Sequence, residues 1–156
     1  MKCISLWQPW ASLIALGSKR IETRGWSTKL RGEIAIHAAL RRPLIELNSL
    51  LALDVFQQGL SDLSPHRITV DDLPFGAILA TCKITDVRHT EELRNRISPH
   101  EFEYGDYRDN RFGWMLEDIR RLKEPIPIKG RQGLFNVDLE ACELQEWAFI
   151  ENIEKK

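Results

Sequence analysis

A cluster of charged side chains near the start of the chain contains the groups best suited to chemistry. Lys19 offers a cation, Glu22 a carboxylate and Arg24 a planar guanidinium group. In a cleft, Glu22 can accept a hydrogen bond from an amino group, while Arg24 donates two parallel hydrogen bonds to a phosphate or a base edge. The alternative is a row of surface ion pairs, which contributes little to stability.

The sequence leaves open whether these groups converge. If the stretch after Gly17 is an extended strand, successive side chains alternate between its two faces. Lys19 then lies on one face, and Arg20, Glu22 and Arg24 lie on the other. A turn at Lys19 before the strand would instead bring its ammonium group back toward the Glu22 carboxylate, so that both line one cleft.

A second polar segment lies late in the chain, at residues 129–133, and reads Lys-Gly-Arg-Gln-Gly. Its glycines flank Lys129, Arg131 and Gln132, an arrangement in which backbone N–H groups and side chains approach a phosphate closely. A tight turn that requires glycine explains the same residues, and the two interpretations are compatible.

The charges are unevenly distributed along the chain. The formal net charge is −1, from 22 basic and 23 acidic residues, so no strong overall field attracts a polyanion. Residues 19–31 and residues 120–131 each hold five basic residues and one acidic residue, whereas residues 140–156 hold five acidic residues and two lysines. If the basic segments meet, they form a local positive face that suits a small ligand or a short single strand better than a long duplex.

Tryptophans are interspersed with the basic residues and are candidates for stacking on a base. We expect Trp10 and Trp114 in the core, where most tryptophans pack. Trp7 and Trp26 lie at element boundaries, where core packing and base stacking both remain open. Because Trp26 directly follows the charged cluster, it is included among the candidate binding residues.

Cysteine and histidine spacing predicts neither a metal site nor a bound cofactor. Cys3, Cys82 and Cys142 are odd in number and far apart, which indicates reduced thiols in a cytoplasmic protein. His37 lies on the polar side of a predicted strand, where a structural hydrogen bond is favoured over a role in the site.

No segment of the sequence is suited to a membrane. The longest apolar runs have four residues, far short of the ~20 residues of a membrane-spanning helix. Gln8 and Pro9 interrupt the apolar start of the chain, so we expect that start to belong to the folded domain rather than to a signal peptide.

Hydrophobic periodicity predicts an α+β domain. Helices are predicted between Pro9 and Gly17, over residues 43–58 and, weakly, over residues 140–150. Strands are predicted over residues 19–26, 33–39, 77–89, 112–119 and 134–139, with irregular segments at 61–76 and 91–110. This mixture indicates a small mixed β-barrel of five to six strands with helices packed around it. We expect one domain over residues 1–156, with an acidic C-terminal extension at residues 140–156.

Three segments of the chain resemble, in order, those of one family. Gly17, Lys19, Glu22 and Arg24 stand at the GxKxxExR spacing of the ASCH domain (activating signal cointegrator homology), a small barrel similar to the PUA domain. LWQPWASLIALG resembles the first helix of that family, GEIAIHAA its following strand, and FGWMLEDIRRLKEPIPIKGRQGLFNV its C-terminal strands. The resemblance extends over residues 2–137.

The resemblance implies a PUA-like fold whose cleft faces RNA, another single-stranded nucleic acid or a modified nucleoside. The candidate binding residues are Lys19, Arg20, Glu22, Arg24, Trp26, Lys129, Arg131 and Gln132. In this hypothesis the lysines, Arg20 and Arg131 contact phosphates, while Glu22 and Arg24 contact a base edge.

The alternative is a hydrolase of the same fold with Lys19 and Glu22 as the acid and the base. Some small bacterial proteins of this kind are amidohydrolases of acylated cytidine and use the motif lysine with a threonine three residues later. Here Glu22 occupies that position and Thr23 follows it. Other relatives resemble ribonucleases. A third hypothesis, a protein-interaction module, would use the apolar helix at residues 44–56.

Overall fold

The structure is a computed structural model, and it describes residues 1–139 and residues 149–150. The strands of this part of the chain are β1 (Lys2–Leu6), β2 (Ile21–Arg24), β3 (Gly32–Ala38), β4 (Ala77–His89), β5 (Phe112–Pro127) and β6 (Leu134–Asn136). Its α-helices are α1 (Trp10–Ala15), α2 (Leu44–Leu51), α3 (Asp54–Gly59), α4 (Thr90–Leu93) and α5 (Pro99–Glu103). Two 3₁₀ turns, Ser61–Leu63 and Val70–Asp72, complete the list. Within the described residues, no helix has the length and apolar character needed to cross a bilayer.

All six strands belong to one curled sheet, in the order β2-β5-β4-β3-β1-β6. β1 runs parallel to β3, and the other neighbouring strands are antiparallel. The pairing of the long strands β4 and β5 shifts register three times, and such bulges bend a sheet. The predicted α+β class is confirmed, with the barrel present as a six-stranded half-barrel.

Strand β1 is not among the predicted strands. It is an internal strand, with β3 on one side and β6 on the other. Cys3, Ile4 and Leu6 are all buried. Because a strand buried on both faces lacks the alternation of apolar and polar residues, its sequence is hard to distinguish from the apolar helix that follows.

The helix predicted over residues 43–58 is divided into α2 and α3. α2 ends at Leu51, and Leu53 has extended backbone angles (φ −86°, ψ 131°) before α3 begins. Leu47 and Phe56 are buried on the two helices. Periodicity therefore predicts the shared buried face correctly but does not detect the short break in the backbone.

The later elements also differ in length from the prediction. β5 continues to Pro127, because its second half pairs with the beginning of β4, and β6 already ends at Asn136. The segment predicted to be irregular at residues 91–110 contains α5. The predicted weak helix and the acidic extension lie outside the described residues, apart from residues 149–150.

Helix α1 lies between two apolar clusters and connects the sheet to the other helices. Its Ile14 belongs to a cluster of sheet residues that includes Trp114. Its Leu13 and the following Leu16 belong to a second cluster, which contains Tyr104 and residues of α2 and α3. Since α1 is buried on both sides, the core determines where the charged cluster after it begins.

Candidate functional site

An open cleft of about 1290 Å³ lies where β1, β2 and β3 approach the turn at residues 128–133 and helices α2 and α3. Seven of the eight candidate binding residues line it: Lys19, Glu22, Arg24, Trp26, Lys129, Arg131 and Gln132. The early charged cluster and the late glycine turn therefore meet at one cavity, although they are far apart along the chain.

Arg20 is the exception among the candidate residues. Its side chain is exposed, and it lines a separate surface cavity with Glu101 and Glu117. Its backbone N–H donates to the Glu101 carboxylate at 3.0 Å. The structure therefore does not place Arg20 in the cleft with Lys19, where the sequence predicts that both contact phosphate.

The turn between α1 and β2 brings Lys19 and Glu22 together. Gly17 adopts a positive φ of 75°, which favours glycine, and follows the end of α1. The backbone N–H of Lys19 donates to the carbonyl of Leu13 at 3.0 Å. Because β2 begins only at Ile21, the alternation of a strand does not apply to Lys19, and its Nζ lies 3.8 Å from Glu22 Oε2.

Lys19 is a buried structural cation. Its side chain is 1% exposed, and its ammonium group donates to the carbonyls of Ile21 (2.6 Å) and Tyr104 (2.9 Å). Burial lowers the pKa of Lys19, whereas the carboxylates of Glu22 and Glu101 favour the charged form and oppose that shift. Two of the three ammonium N–H groups are therefore used by backbone carbonyls.

Glu101 shapes the site, although no sequence pattern indicates it. Its buried carboxylate accepts hydrogen bonds from the backbone N–H groups of Arg20 and Ile21, each at 3.0 Å, at the start of β2. Burial raises the pKa of Glu101, and these two N–H groups and Lys19 oppose the shift. The contact joins residues 80 positions apart, so the only local signal is Ser98, whose hydroxyl caps α5.

The Glu22 carboxylate faces the cleft with few partners. Among the described residues its polar contacts are Arg24 Nη1, 3.5 Å from Oε1, and Lys19 Nζ, 3.8 Å from Oε2. Both distances exceed the roughly 2.7–2.9 Å of a close charge-assisted hydrogen bond. The side chain is only 11% exposed, yet it lines the cavity. Both carboxylate oxygens therefore retain acceptor capacity toward a ligand.

Thr23 has a structural partner. Its buried Oγ1 accepts a hydrogen bond of 2.8 Å from the backbone N–H of Asp106. This contact holds the segment after α5 against β2. Thr23 therefore helps to shape the wall of the cleft next to Glu22.

Trp26 forms an exposed aromatic surface beside the charged cluster. Its side chain is 38% exposed, and its ring packs edge-to-face on Trp114, with 4.8 Å between centroids. The guanidinium carbon of Arg24 lies 5.6 Å from the centroid of the Trp26 ring. Trp114 is fully buried, as predicted, so it holds Trp26 in place from the core side.

Two further tryptophans line the cleft. Trp7 is 47% exposed, and the guanidinium carbon of Arg41 lies 4.2 Å from the centroid of its ring. Trp10 packs partly against the second apolar cluster and also contributes to the cavity. The predicted core position of Trp10 is therefore only half correct.

His37 holds the late turn at the cleft. Its Nδ1 lies 2.8 Å from Ser5 Oγ, and its Nε2 lies 3.0 Å from the carbonyl oxygen of Ile128. Because a carbonyl only accepts, we assign the proton to Nε2, and Nδ1 then accepts from the Ser5 hydroxyl. Burial lowers the pKa of His37, which favours this neutral form. A Cβ atom at Gly130 would lie 2.6 Å from His37 Cε1, so only glycine lets the turn approach this closely.

The polar side chains of the late turn are available to a ligand. Lys129, Arg131 and Gln132 are exposed at the cleft. No residue that the structure describes forms a hydrogen bond or an ion pair with these three side chains. They therefore offer two positive charges and one amide group to the cavity.

Comparison with known proteins identifies one family. The ASCH domain family profile matches residues 4–126. Activating signal cointegrator 1 of Mus musculus is 28% identical over 137 residues, and that of Homo sapiens is 27% identical over 137 residues. Each alignment covers 87% of this chain and 22% of the relative, so the chain spans about a fifth of the length of these curated proteins.

Solved structures show the same fold. An ASCH protein from Zymomonas mobilis, solved as a point mutant, has a TM-score of 0.55 at 18% identity, with 91% of this chain and 93% of that chain covered. A second structure of ASCH from Zymomonas mobilis has a TM-score of 0.52 at 16% identity, with 91% and 90% covered. At this identity the likeness concerns the fold alone.

Proposed function

Since the chain belongs to the ASCH domain family, we propose that it binds single-stranded nucleic acid, in particular RNA, or a modified nucleoside in this cleft. One observation supports the proposal most: a single cavity combines the Glu22–Arg24 pair, the exposed Trp26 ring and the polar side chains of the late turn. A nucleotide presents a phosphate, a base face and a base edge, and the cavity offers a group for each.

The late turn is the proposed phosphate contact. Lys129 and Arg131 are exposed cations without a described carboxylate partner, so a phosphate gains an ion pair without breaking one. Gly130 lets the turn pack closely against His37, which holds these two cations at the cleft. The formal net charge of −1 makes this local group, rather than the whole molecule, the source of attraction.

Trp26 and the Glu22–Arg24 pair form the proposed contact with the base. Stacking of a base on an aromatic side chain contributes ~1–3 kcal/mol, and Trp26 is exposed where Arg24 reaches its ring. The carboxylate of Glu22 accepts hydrogen bonds and the guanidinium of Arg24 donates them, so together they can contact donors and acceptors on one base edge.

The hydrolase alternative receives less support from the geometry. In that hypothesis Lys19 and Glu22 act as acid and base on an acylated cytidine or on RNA. Two ammonium N–H groups of Lys19 already donate to the carbonyls of Ile21 and Tyr104, so the group is held by the protein rather than directed at a ligand. Binding requires no proton transfer by Lys19, and we therefore favour it.

We retain the cytoplasmic location as a prediction. Cys3 and Cys82 are free and buried, and burial raises the pKa of each thiol to about 12. A thiol with so high a pKa is rarely a thiolate and reacts slowly. Both cysteines are therefore suited to remain reduced, while Cys142 lies outside the described residues.

Fluorescence anisotropy with a labelled single-stranded RNA tests the proposal. We expect the affinity to fall steeply as salt rises from about 50 to 200 mM, because phosphate contacts release counterions. Arg24→Ala and Arg131→Ala should each weaken binding by about tenfold, the effect of one good charged contact. Arg20→Ala also removes one arginine, but outside the cleft, and should leave the affinity nearly unchanged.

Two results would count against the proposal. One is an affinity that responds neither to salt nor to the two cleft variants. The other is turnover of acylated cytidine or cleavage of the RNA during long incubation, abolished by Glu22→Gln, which would establish the hydrolase instead.

A further inference from the structure

The carboxylate of Glu22 is poised for a ligand that carries two neighbouring donors. Its nearest cations lie at 3.5 Å from Oε1 and 3.8 Å from Oε2, and no described backbone N–H donates to either oxygen. The neighbouring side chains already have hydrogen-bond partners. The Thr23 hydroxyl accepts from the Asp106 N–H, and the Lys19 ammonium group donates to two backbone carbonyls. The two oxygens of this largely buried carboxylate lack close hydrogen bonds. The ligand that stabilises it most is one that donates a neighbouring N–H group to each oxygen.

The four bases differ in how many such donors they present. On its Watson–Crick edge guanine carries an N1–H and an N2 amino group side by side, with the O6 acceptor next to them. Uracil has one N3–H between two carbonyls. Cytosine and adenine have one amino group beside a ring nitrogen with a lone pair, which would face the second carboxylate oxygen and be repelled. Guanine alone can therefore donate to both oxygens of Glu22.

We propose that the cleft selects guanine, with Glu22 accepting from N1–H and N2–H and Arg24 donating to O6. This inference rests on the proposed binding of single-stranded nucleic acid or a nucleoside. Arg24 is suited to the O6 contact, because its Nη1 lies 3.5 Å from Glu22 Oε1 and both side chains line the same cleft. On the guanine edge the O6 acceptor is next to N1–H. When N1–H and N2–H donate to Glu22, O6 therefore faces the neighbouring Arg24 guanidinium.

The neighbouring groups add to the same preference. Lys19 Nζ lies 3.8 Å from Glu22 Oε2 and already donates to two backbone carbonyls, so it leaves that oxygen open to a donor from the ligand. Trp26 lies beside Arg24 with an exposed ring, and purines offer a larger face for stacking than pyrimidines. Stacking favours adenine and guanine together, whereas the two-oxygen contact separates guanine from adenine.

Short RNAs that differ in one base test this selectivity with the unmodified protein. The probes are five-nucleotide RNAs of uridine with guanosine, adenosine, cytidine or uridine at the centre, labelled for fluorescence anisotropy. We expect the guanosine probe to bind at least about tenfold more tightly than the other three, the discrimination of one good bidentate contact. A central inosine, which lacks the N2 amino group, should bind about tenfold more weakly than guanosine. A central 7-deazaguanosine keeps the Watson–Crick edge and should bind as guanosine does.

The protein variant Glu22→Gln provides a second measurement. Glutamine has the same size but replaces one acceptor by an N–H₂ donor, so guanosine should lose its advantage over adenosine. The melting temperature of the variant shows whether it is folded. If it is not, the inosine and 7-deazaguanosine probes decide the question with the unchanged protein.

The outcomes separate this inference from the proposed function. Equal affinity for all four probes, with binding that still responds to salt and to Arg131→Ala, would overturn guanine selection and leave nucleic-acid binding intact. A preference for adenosine or cytidine would overturn it as well. Binding of none of the probes at any salt concentration would contradict the proposed function itself.

Discussion

The carbonyl oxygen of Tyr104 accepts a 2.9 Å hydrogen bond from the ammonium group of Lys19, 85 positions earlier in the chain. The same ammonium group donates to the carbonyl of Ile21. One buried cation therefore joins the segment after α5 to the start of β2. The wall of the cleft depends on this link, since Glu22 and Arg24 lie on β2 itself.

Replacing Lys19 by methionine should destabilise the domain. Lys19→Met leaves two carbonyls without their donor and Glu22 and Glu101 without the nearby cation. We expect the free energy of unfolding, measured by urea denaturation, to fall by about 3 kcal/mol. Lys29→Met removes an exposed lysine and should change the free energy of unfolding by less than ~0.5 kcal/mol. Equal effects of the two substitutions would show that the buried contacts of Lys19 contribute nothing.

The pH dependence of stability should reveal the neutral state of His37. Burial lowers the pKa of His37 in the folded protein below its ordinary value of 6.5, so the unfolded chain takes up a proton first as the pH falls. The stability contributed by neutral His37 is therefore full above pH 6.5 and is lost as the pH falls below it, by at most about 1.4 kcal/mol per pH unit.

Urea denaturation between about pH 7.5 and pH 5 measures this effect. His37→Gln removes the titrating ring and keeps a polar side chain, so its stability should fall less with acid than that of the wild type. All other titratable groups are common to both proteins, and the difference isolates His37. Parallel pH profiles would contradict the assignment.

The close approach of the late turn to His37 predicts a strict requirement for glycine at position 130. In Gly130→Ala the new Cβ would lie 2.6 Å from His37 Cε1 and 3.0 Å from Ser5 Oγ. The turn must then move, and we expect a loss of about 1–3 kcal/mol in the free energy of unfolding together with weaker RNA binding. In Gly25→Ala the Cβ meets only Arg111 Nη1 at 3.6 Å, so the stability should change by less than ~0.5 kcal/mol. A loss no larger in Gly130→Ala than in Gly25→Ala would contradict the packing described.

Much of this architecture could be predicted from the sequence. The helix after Pro9 and strand β4 follow from local patterns, and the resemblance carried by the GxKxxExR motif implies the cleft. Strand β1 could not be recognised, because it is buried on both faces and its register depends on β3 and β6. Glu101 could not be assigned to the site either, because its role depends on hydrogen bonds to the distant backbone of β2.

The geometry of the charged cluster could be predicted only in part. Alternation along an ideal strand separates Lys19 from Glu22, whereas the structure places Lys19 in the turn before β2 and the two groups 3.8 Å apart. The same local geometry turns Arg20 away from the cleft. Glu101 holds the junction between this turn and β2, because its carboxylate accepts hydrogen bonds from the N–H groups of both Arg20 and Ile21.

Substitutions of Trp26 should separate stacking from the charged contacts. Trp26→Ala removes the exposed ring beside Arg24 and should weaken RNA binding by about tenfold, the effect of losing one stacked base. Trp26→Phe retains an aromatic face and should recover most of that loss. The affinities are measured by fluorescence anisotropy, with melting temperatures to show that both variants are folded. An alanine variant that binds as tightly as the wild type would exclude stacking on Trp26.

The position of the bound RNA is measured most directly by amide chemical shifts of the ¹⁵N-labelled protein during titration with the guanosine-centred RNA. We expect shifts that centre on residues 22–26 and 129–133, because both segments contribute side chains to the cleft. The second surface cavity, lined by Arg20, Glu117 and Asp118, serves as the internal control and should remain unchanged. Shifts confined to that second cavity, with the amides of the cleft unaffected, would contradict RNA binding in the cleft.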